Sequence, residues 1–279
     1  MSKTTPPAPS IDGRAALALI EPLTDLVAEA GAAILAVNRK VMKVEGKSDG
    51  SPVTEADLAA DRIIAAGLER LAADIPALSE ERTHLACRPY RGSFFLVDPL
   101  DGTTEFVSGR DEFTVNLALV TDGTPVLGIV GAPALGMIWR GVVGHGAERL
   151  LVTKDAKSRA ASPICTRALP APGAPWIAAV SRSHSDRRTD AFISERPGAV
   201  RQVLGSAVKF CRVAEGGADI YPRLSPTSEW DIAAGHAVVC AAGGKITDAK
   251  GNPLRFGEAR EGFLVPEFIA WGDPSAADQ

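Results

Sequence analysis

The run Phe94-Phe95-Leu96-Val97 is uninterrupted hydrocarbon, and it stops at Asp98-Pro99-Leu100-Asp101-Gly102. Four successive large apolar side chains, if extended, need cover on both faces, so the segment predicts a buried strand in a layered fold, closed by the turn residues Pro and Gly. Two carboxylates three residues apart then stand at a strand end, where they can face one another across a tight turn. Hard cations favour that arrangement, because magnesium takes near-octahedral oxygen ligation from one or two carboxylates, water and phosphate. The Leu100 carbonyl is a further candidate ligand. Gly102 permits close backbone approach, and Thr103-Thr104-Glu105-Phe106 can form a short helix whose amides point at an anion. Taken alone, Asp-Pro-x-Asp-Gly is equally ordinary turn chemistry, with Asp98 and Asp101 capping a turn and Thr103 a helix.

The rest of the chain supplies the layers such a strand requires. Residues 1–12 read as a disordered leader, rich in Pro, Ser and Thr at the start. From Arg14 to Val37 apolar residues recur at helical intervals, and a second helix is expected from Thr54, as N-cap with Asp57 at its third position, to about Leu71. Thr114–Val120, Val126–Ala132 and Gly136–Val143 have the β-branched content and glycine breaks of an antiparallel meander. The polar, then Ala- and Pro-rich stretch from Lys154 to Pro175 predicts a seam between an α+β domain over 13–153, carrying the acidic cluster, and an α/β domain over 154–279. In the second half, strands are expected at Trp176–Ser181, Ala218–Tyr221 and Lys245–Thr247. Helices are expected at Ser185–Ser194, Ser206–Glu215 and Asp231–Ala242, the last ending at Gly243-Gly244.

Composition narrows the function classes. With 279 residues, 46% hydrophobic, the chain can bury a substantial core. A formal charge of −4 argues against a broad nucleic-acid or anionic-membrane surface, which demands uncompensated Lys and Arg, but leaves room for a local cationic pocket. The four cysteines, Cys87, Cys165, Cys211 and Cys240, lack zinc or disulfide spacing and read as reduced core thiols. No stretch is long and apolar enough to span a bilayer and the N-terminus has no apolar signal region, so a cytoplasmic location is expected.

Three acidic segments occur in a specific order: Ser79-Glu80-Glu81, Asp98-Pro-Leu-Asp101-Gly-Thr103 and Trp230-Asp231-Ile-Ala-Ala-Gly235. Together they resemble the three metal signatures of the inositol monophosphatase superfamily, over about residues 14–268. Within it the chain is most similar to bacterial 3′(2′),5′-bisphosphate nucleotidases. The likeness runs through Ser51-Pro-Val-Thr-Glu-Ala-Asp57, Glu112-Phe-Thr-Val-Asn116, Ser181-Arg-Ser-His184 and Gly205-Ser206-Ala-Val-Lys209-Phe210-Cys211. The resemblance implies a layered α-β-α-β-α sandwich, of the inositol monophosphatase and fructose-1,6-bisphosphatase type, with the site between its halves.

It also implies roles. Glu80, Asp98, Asp101, Asp231 and the Leu100 carbonyl would ligate two or three Mg2+ ions, with Glu80 also close to the reacting water. Asp57 and Thr103 would form a water-orienting pair, although both positions suit helix capping alone. Gly102 and Thr103 would face the scissile phosphate, and His184, Ser206, Lys209 and Arg223 would hold the second phosphate and the nucleoside. Those residue types suit a dianion, Lys as a point charge and Arg as a fork. The implied activity is hydrolysis of 3′-phosphoadenosine 5′-phosphate to AMP and phosphate by metal-activated water. An inositol or sugar phosphate phosphatase is the alternative, and a non-catalytic regulatory binding protein the alternative of another class. The expected partner is a small phosphate ester, with no nucleic acid; a homodimer is left open.

Some residues stand apart from this pattern. Glu81 reads as a solvated charge, and His84, His145 and His236 as surface or core residues without a catalytic partner. Thr104 occupies a position where bisphosphate nucleotidases commonly carry Lys, which bears on substrate preference. Asp111 and Glu229 carry no weight either way.

Overall fold

The structure, a computed structural model, describes residues 9–46, 52–85, 90–152, 159–184, 186–196, 198–258 and 261–278. The apolar run at 94–97 lies in strand Ser93–Asp101 of a seven-stranded sheet. Across that sheet the order is Ala77–Ser79, Ser93–Asp101, Thr114–Thr121, Thr124–Ala132, Met137–Val142, Gly146–Val152 and Arg159–Ile164. Only the first pair is parallel, and every later neighbour is antiparallel. Both faces of the sheet are covered, which is why the run is apolar throughout. Phe95, Val97, Val115, Leu117 and Leu119 enter one core, while the alternating Phe94, Leu96, Ala118 and Val120 enter another.

The helices are α1 (Gly13–Ala36), α2 (Glu55–Ala72), α3 (Thr103–Val107), α4 (Arg187–Ser194), α5 (Val208–Ala214) and α6 (Glu229–Ala241). The amphipathic pair α1 and α2 packs on the outer face of the large sheet, and α5 and α6 on the inner face. A five-stranded sheet follows, in the order Val200–Leu204, Ile177–Ser181, Ile220–Arg223, Phe268–Trp271 and Lys245–Thr247. Helix α4 covers its far side, where Ile193 joins Ala178, Val180, Ile220 and Ile269. The result is the α-β-α-β-α sandwich expected from the sequence. Among the described residues no helix is long and apolar enough to cross a membrane.

Helix α6 explains how two sheets can share one layer. It is buried almost all round, so its sequence is apolar without a polar face, and small residues bring its backbone close to the sheet. A Cβ added at Gly128 would lie 2.1 Å from the Ala234 carbonyl oxygen, and one at Gly141 would lie 2.6 Å from the Ala241 methyl. On the same helix, Gly235 makes room for the Phe210 ring of α5, 2.4 Å from where its Cβ would be. This close packing fixes the N-terminus of α6, and with it Asp231, against the end of strand Ser93–Asp101.

Four expectations need correction. The strand does not stop at Asp98: it continues to Asp101, pairing Asp98 with Asn116 and Asp101 with Thr114, with a register shift between them. Pro99 has no N–H to offer the ladder, so the chain bulges there, and the two carboxylates flank a bulge within a strand instead of facing across a turn. The turn comes one residue later, at Gly102 with φ 87°. Second, the large sheet runs on through Arg159–Ile164, past the boundary expected at 154; residues 154–158 of the expected seam lie outside the described residues. Third, the leader expected over 1–12 is anchored at its end, since Ser93 N donates to Pro9 O at 3.1 Å and Ile11 N donates to Ser93 Oγ at 2.8 Å; residues 1–8 lie outside the described set. Fourth, Gly136, expected to open a strand, is a turn residue at φ 64°.

Candidate metal and phosphate site

A cavity of about 200 Å³ opens where the bulged strand end, α3, and the N-terminal ends of α5 and α6 converge. From the first half of the chain it is lined by Glu80, Asp98, Leu100, Asp101, Gly102, Thr103, Thr104 and Glu105; from the second by His184, Ser206, Lys209, Tyr221, Arg223 and Asp231, among others. All the residues singled out in the sequence line it except Asp57, and Glu81 is not part of the lining.

Asp57 sits directly behind. Only 2% exposed, it closes the capping box that starts α2: its Oδ2 accepts from Thr54 N at 2.8 Å and from Thr54 Oγ1 at 2.6 Å. Its other oxygen, Oδ1, accepts from Thr103 Oγ1 at 3.0 Å. The Leu100 carbonyl is also within 3.1 Å of that hydroxyl. The helix cap and the contact to Thr103 therefore coexist on one carboxylate.

Glu80 is held in a turn pinned by a second buried acid. Asp61 Oδ1 accepts from Ser79 Oγ at 2.7 Å and Asp61 Oδ2 from Arg82 Nε at 2.8 Å, so both flanks of Glu80-Glu81 are tied to α2. Asp98, 1% exposed, accepts from Leu100 N at 3.1 Å. Asp101 Oδ2 is approached by Thr114 Oγ1 at 3.4 Å and Asn116 Nδ2 at 3.3 Å. At the start of α6, Asp231 Oδ2 accepts from the Thr227 hydroxyl and from Ser228 N at 3.3 Å.

The electrostatics follow from this crowding. Burial, then the neighbouring charges of Glu80, Asp101 and Asp231, push the Asp98 carboxyl well above the ordinary carboxylate range. Burial and then Asp231 raise Asp101 from 3.8 to about 6, against an opposing pull from Lys209. In the same lining, Lys209 is only 3% exposed; burial brings its ammonium down to about 8, with Asp101 acting in the other direction. His184, at the rim, is lowered by partial desolvation and then by Arg223 and Lys209. The acids of this lining, its acidic floor, thus cannot all ionise cheaply, and the same lining carries a cationic wall of Lys209, Arg223 and His184. Among the described residues no three His, Cys, Asp or Glu side chains already converge closely enough to hold a metal ion. Asp98, Asp101 and Asp231 are engaged with the hydroxyl and amide donors just named. Their donor set is nonetheless all oxygen, which fits a hard cation.

Several site residues escaped the sequence reading. Glu105 is 4% exposed, lines the cavity and accepts from the Ser183 hydroxyl. Tyr221 carries the Lys209 ammonium 5.3 Å from its ring centroid. Thr114 and Asn116 are fully buried polar residues in an otherwise apolar strand. That last pattern was a legible signal, since buried polar side chains need partners.

A family model described as the inositol monophosphatase family matches residues 17–271. The chain is 40% identical over 259 residues to the 3′(2′),5′-bisphosphate nucleotidase CysQ of Shigella flexneri, covering 90% of this chain and 98% of that one. It is also 40% identical to the enzyme of the same name from Escherichia coli K12, over 254 residues with the same coverage. Among solved structures, CysQ from Bacteroides thetaiotaomicron, described as a bacterial member of the inositol monophosphatase family, superposes with a TM-score of 0.76 at 33% identity. That match covers 93% of this chain and 97% of the other.

Proposed function

The chain belongs to the inositol monophosphatase family, and on that premise we propose that it is a 3′(2′),5′-bisphosphate nucleotidase that uses magnesium to hydrolyse 3′-phosphoadenosine 5′-phosphate to AMP and phosphate. The names carried by its relatives support the reaction class. The observation that carries the substrate is the presence of acids and cations together in the lining of one cavity: Glu80, Asp98, Asp101 and Asp231 as its acidic floor, Lys209, Arg223 and His184 as its cationic wall. A substrate with a single phosphate needs only the floor, whereas one with two phosphates has a use for both.

In this reading Glu80, Asp98, Asp101, Asp231 and the Leu100 carbonyl are the magnesium ligands. Bound there, two or three such ions would supply the positive charge that draws electron density from the phosphoryl group and acidifies a nearby water. The protein's own groups do the positioning. Asp57 accepts a hydrogen bond from the Thr103 hydroxyl, which leaves the lone pairs of Thr103 Oγ1 free to accept a hydrogen bond from an attacking water and aim it. Gly102, at φ 87°, turns the chain so that α3 begins at the cavity edge, beside the phosphate to be cleaved. The cations of the lining hold the phosphate that is not cleaved, as charge-assisted hydrogen-bond donors, with Ser206 beside them.

Steady-state phosphate release with magnesium tests the reading, comparing 3′-phosphoadenosine 5′-phosphate, inositol 1-phosphate and fructose 1,6-bisphosphate at equal concentration. The nucleotide is expected to win by roughly tenfold or more, about 1.4 kcal/mol of transition-state preference. Preference for inositol 1-phosphate would leave the acidic floor intact and remove the assignment of the cationic wall.

A further inference from the structure

Glu112 lies outside the cavity lining, on the loop between α3 and strand Thr114–Thr121, and it ties the two halves of the chain together beside the site. Its Oε2 accepts from Arg182 Nη2 at 2.6 Å and from the backbone amide of Gly205 at 2.9 Å. The approach is close enough to require glycine, since a Cβ at residue 205 would lie 2.5 Å from the Glu112 carbonyl oxygen. The next residue, Ser206, is held at φ 38°, a conformation that side-chain-bearing residues adopt only under constraint. Its hydroxyl accepts from Thr114 at 3.1 Å, and its carbonyl accepts from Lys209 Nζ at 2.5 Å. The place of the Lys209 ammonium in the cavity therefore depends on the Ser206 peptide, and the amide one residue before it is fixed by Glu112.

We propose that Glu112 is a positioning residue for the cationic wall: by pinning the Gly205-Ser206 turn it holds Lys209 where a second phosphate would meet it, and so sets the preference for nucleotides with two phosphates over those with one. This rests on the bisphosphate reading given above. Glu112 is not part of the cavity lining and its side chain bonds Arg182 and the Gly205 amide; the turn it pins meets the acidic floor through Ser206 and Thr114, whose approach to Asp101 is long at 3.4 Å, so loss of Glu112 should disturb the acids far less than Lys209. A merely structural role would weaken all substrates alike. A role confined to Lys209 separates substrates by whether they carry the second phosphate.

The test measures kcat and KM for 3′-phosphoadenosine 5′-phosphate and for 3′-AMP, with wild type, Glu112→Ala and Glu112→Gln. Losing charge-assisted hydrogen bonds in Glu112→Ala should raise KM for the bisphosphate roughly tenfold while both constants for 3′-AMP stay within about twofold. Glu112→Gln keeps an acceptor for the Gly205 amide and should recover most of that loss. Equal losses on the two substrates in Glu112→Ala, or none on either, overturn the inference while the wild-type preference for the bisphosphate stands. A wild type with no such preference overturns the functional reading, and this inference with it. Should a thermal melt show that Glu112→Ala does not fold, Glu112→Asp, shorter by one methylene, carries the same comparison, with an expected rise of about threefold confined to the bisphosphate.

Discussion

Replacing Asp101 by Asn should stabilise the metal-free protein at neutral pH while disabling the site. Burial and the Asp231 charge raise this carboxyl from 3.8 to about 6, so the folded protein holds its proton more tightly than the unfolded chain does. The contribution of such a group is most favourable below the unfolded value, declines as pH rises from about 4, and is fully lost above about 6. Keeping it ionised in the fold at pH 7.5 costs up to about 3 kcal/mol. Asp101 is only partly buried and lines the open cavity, so solvent screening brings the figure to about 2 kcal/mol. An Asn side chain is nearly isosteric and can still accept from Thr114 and Asn116, so it removes the charge without opening a hole. Urea denaturation in EDTA should show Asp101→Asn more stable than wild type at pH 7.5, with about half of the gain left at pH 4.5. Adding magnesium should then narrow the gap, because an ion that binds only the folded wild type stabilises it by mass action. A variant no more stable than wild type at pH 7.5, or a gain that does not change between the two pH values, would refute the account of the acidic floor.

Two further substitutions separate the chemistry from the fold. Thr103→Val removes the hydroxyl that donates to Asp57 at 3.0 Å and should lower kcat by roughly a hundredfold with KM little changed, as steady-state kinetics would show; a kcat within about threefold of wild type excludes Thr103 from aligning the water. Gly128→Ala would set a methyl 2.1 Å from the Ala234 carbonyl, a backbone atom in the middle of α6, and should cost about 3 kcal/mol in urea denaturation; an unperturbed variant would mean that α6 can slide on the sheet.

Local structure was legible where one segment decided it. The helix starting at Thr54, with Asp57 at its third position, follows from capping chemistry that acts over four residues. The meander from Thr114 follows from the β-branched content and glycine breaks of single strands. Strand Val200–Leu204 was missed because it is the exposed edge of its sheet, with Arg201 and Gln202 among its residues, so no apolar pattern marks it. The bulge at Pro99 was read as a strand end because proline ends most strands, and only pairing to Asn116 and Thr114 shows that the strand resumes. At the site, residue types taken alone favoured turns and caps. What gathers Asp98 and Asp231 into one cavity is the insertion of α6 between two sheets, a long-range packing event that no local spacing encodes. Resemblance to a family supplied that grouping, and it could not supply Glu105 or Tyr221, which belong to no quoted motif.

The two helix caps show why sequence alone could not choose between a structural and a functional role for these acids. Asp57 and Asp231 each stand at the third position of a helix. In both, Oδ2 takes the hydrogen bonds of the cap: from Thr54 N and Oγ1 at Asp57, and from Ser228 N and the Thr227 hydroxyl at Asp231. A cap therefore fixes the plane of the carboxylate with one oxygen and leaves the other to a different task. At Asp57 that second oxygen, Oδ1, meets Thr103, and at Asp231 the side chain lines the cavity. Orientation by a helix start is rigid in a way a loop acid is not, because moving the carboxylate means breaking the first turn of a buried helix, about 1 kcal/mol for the cap alone. The structural and functional readings of these residues are thus one geometry, and replacing either acid should cost both stability and turnover.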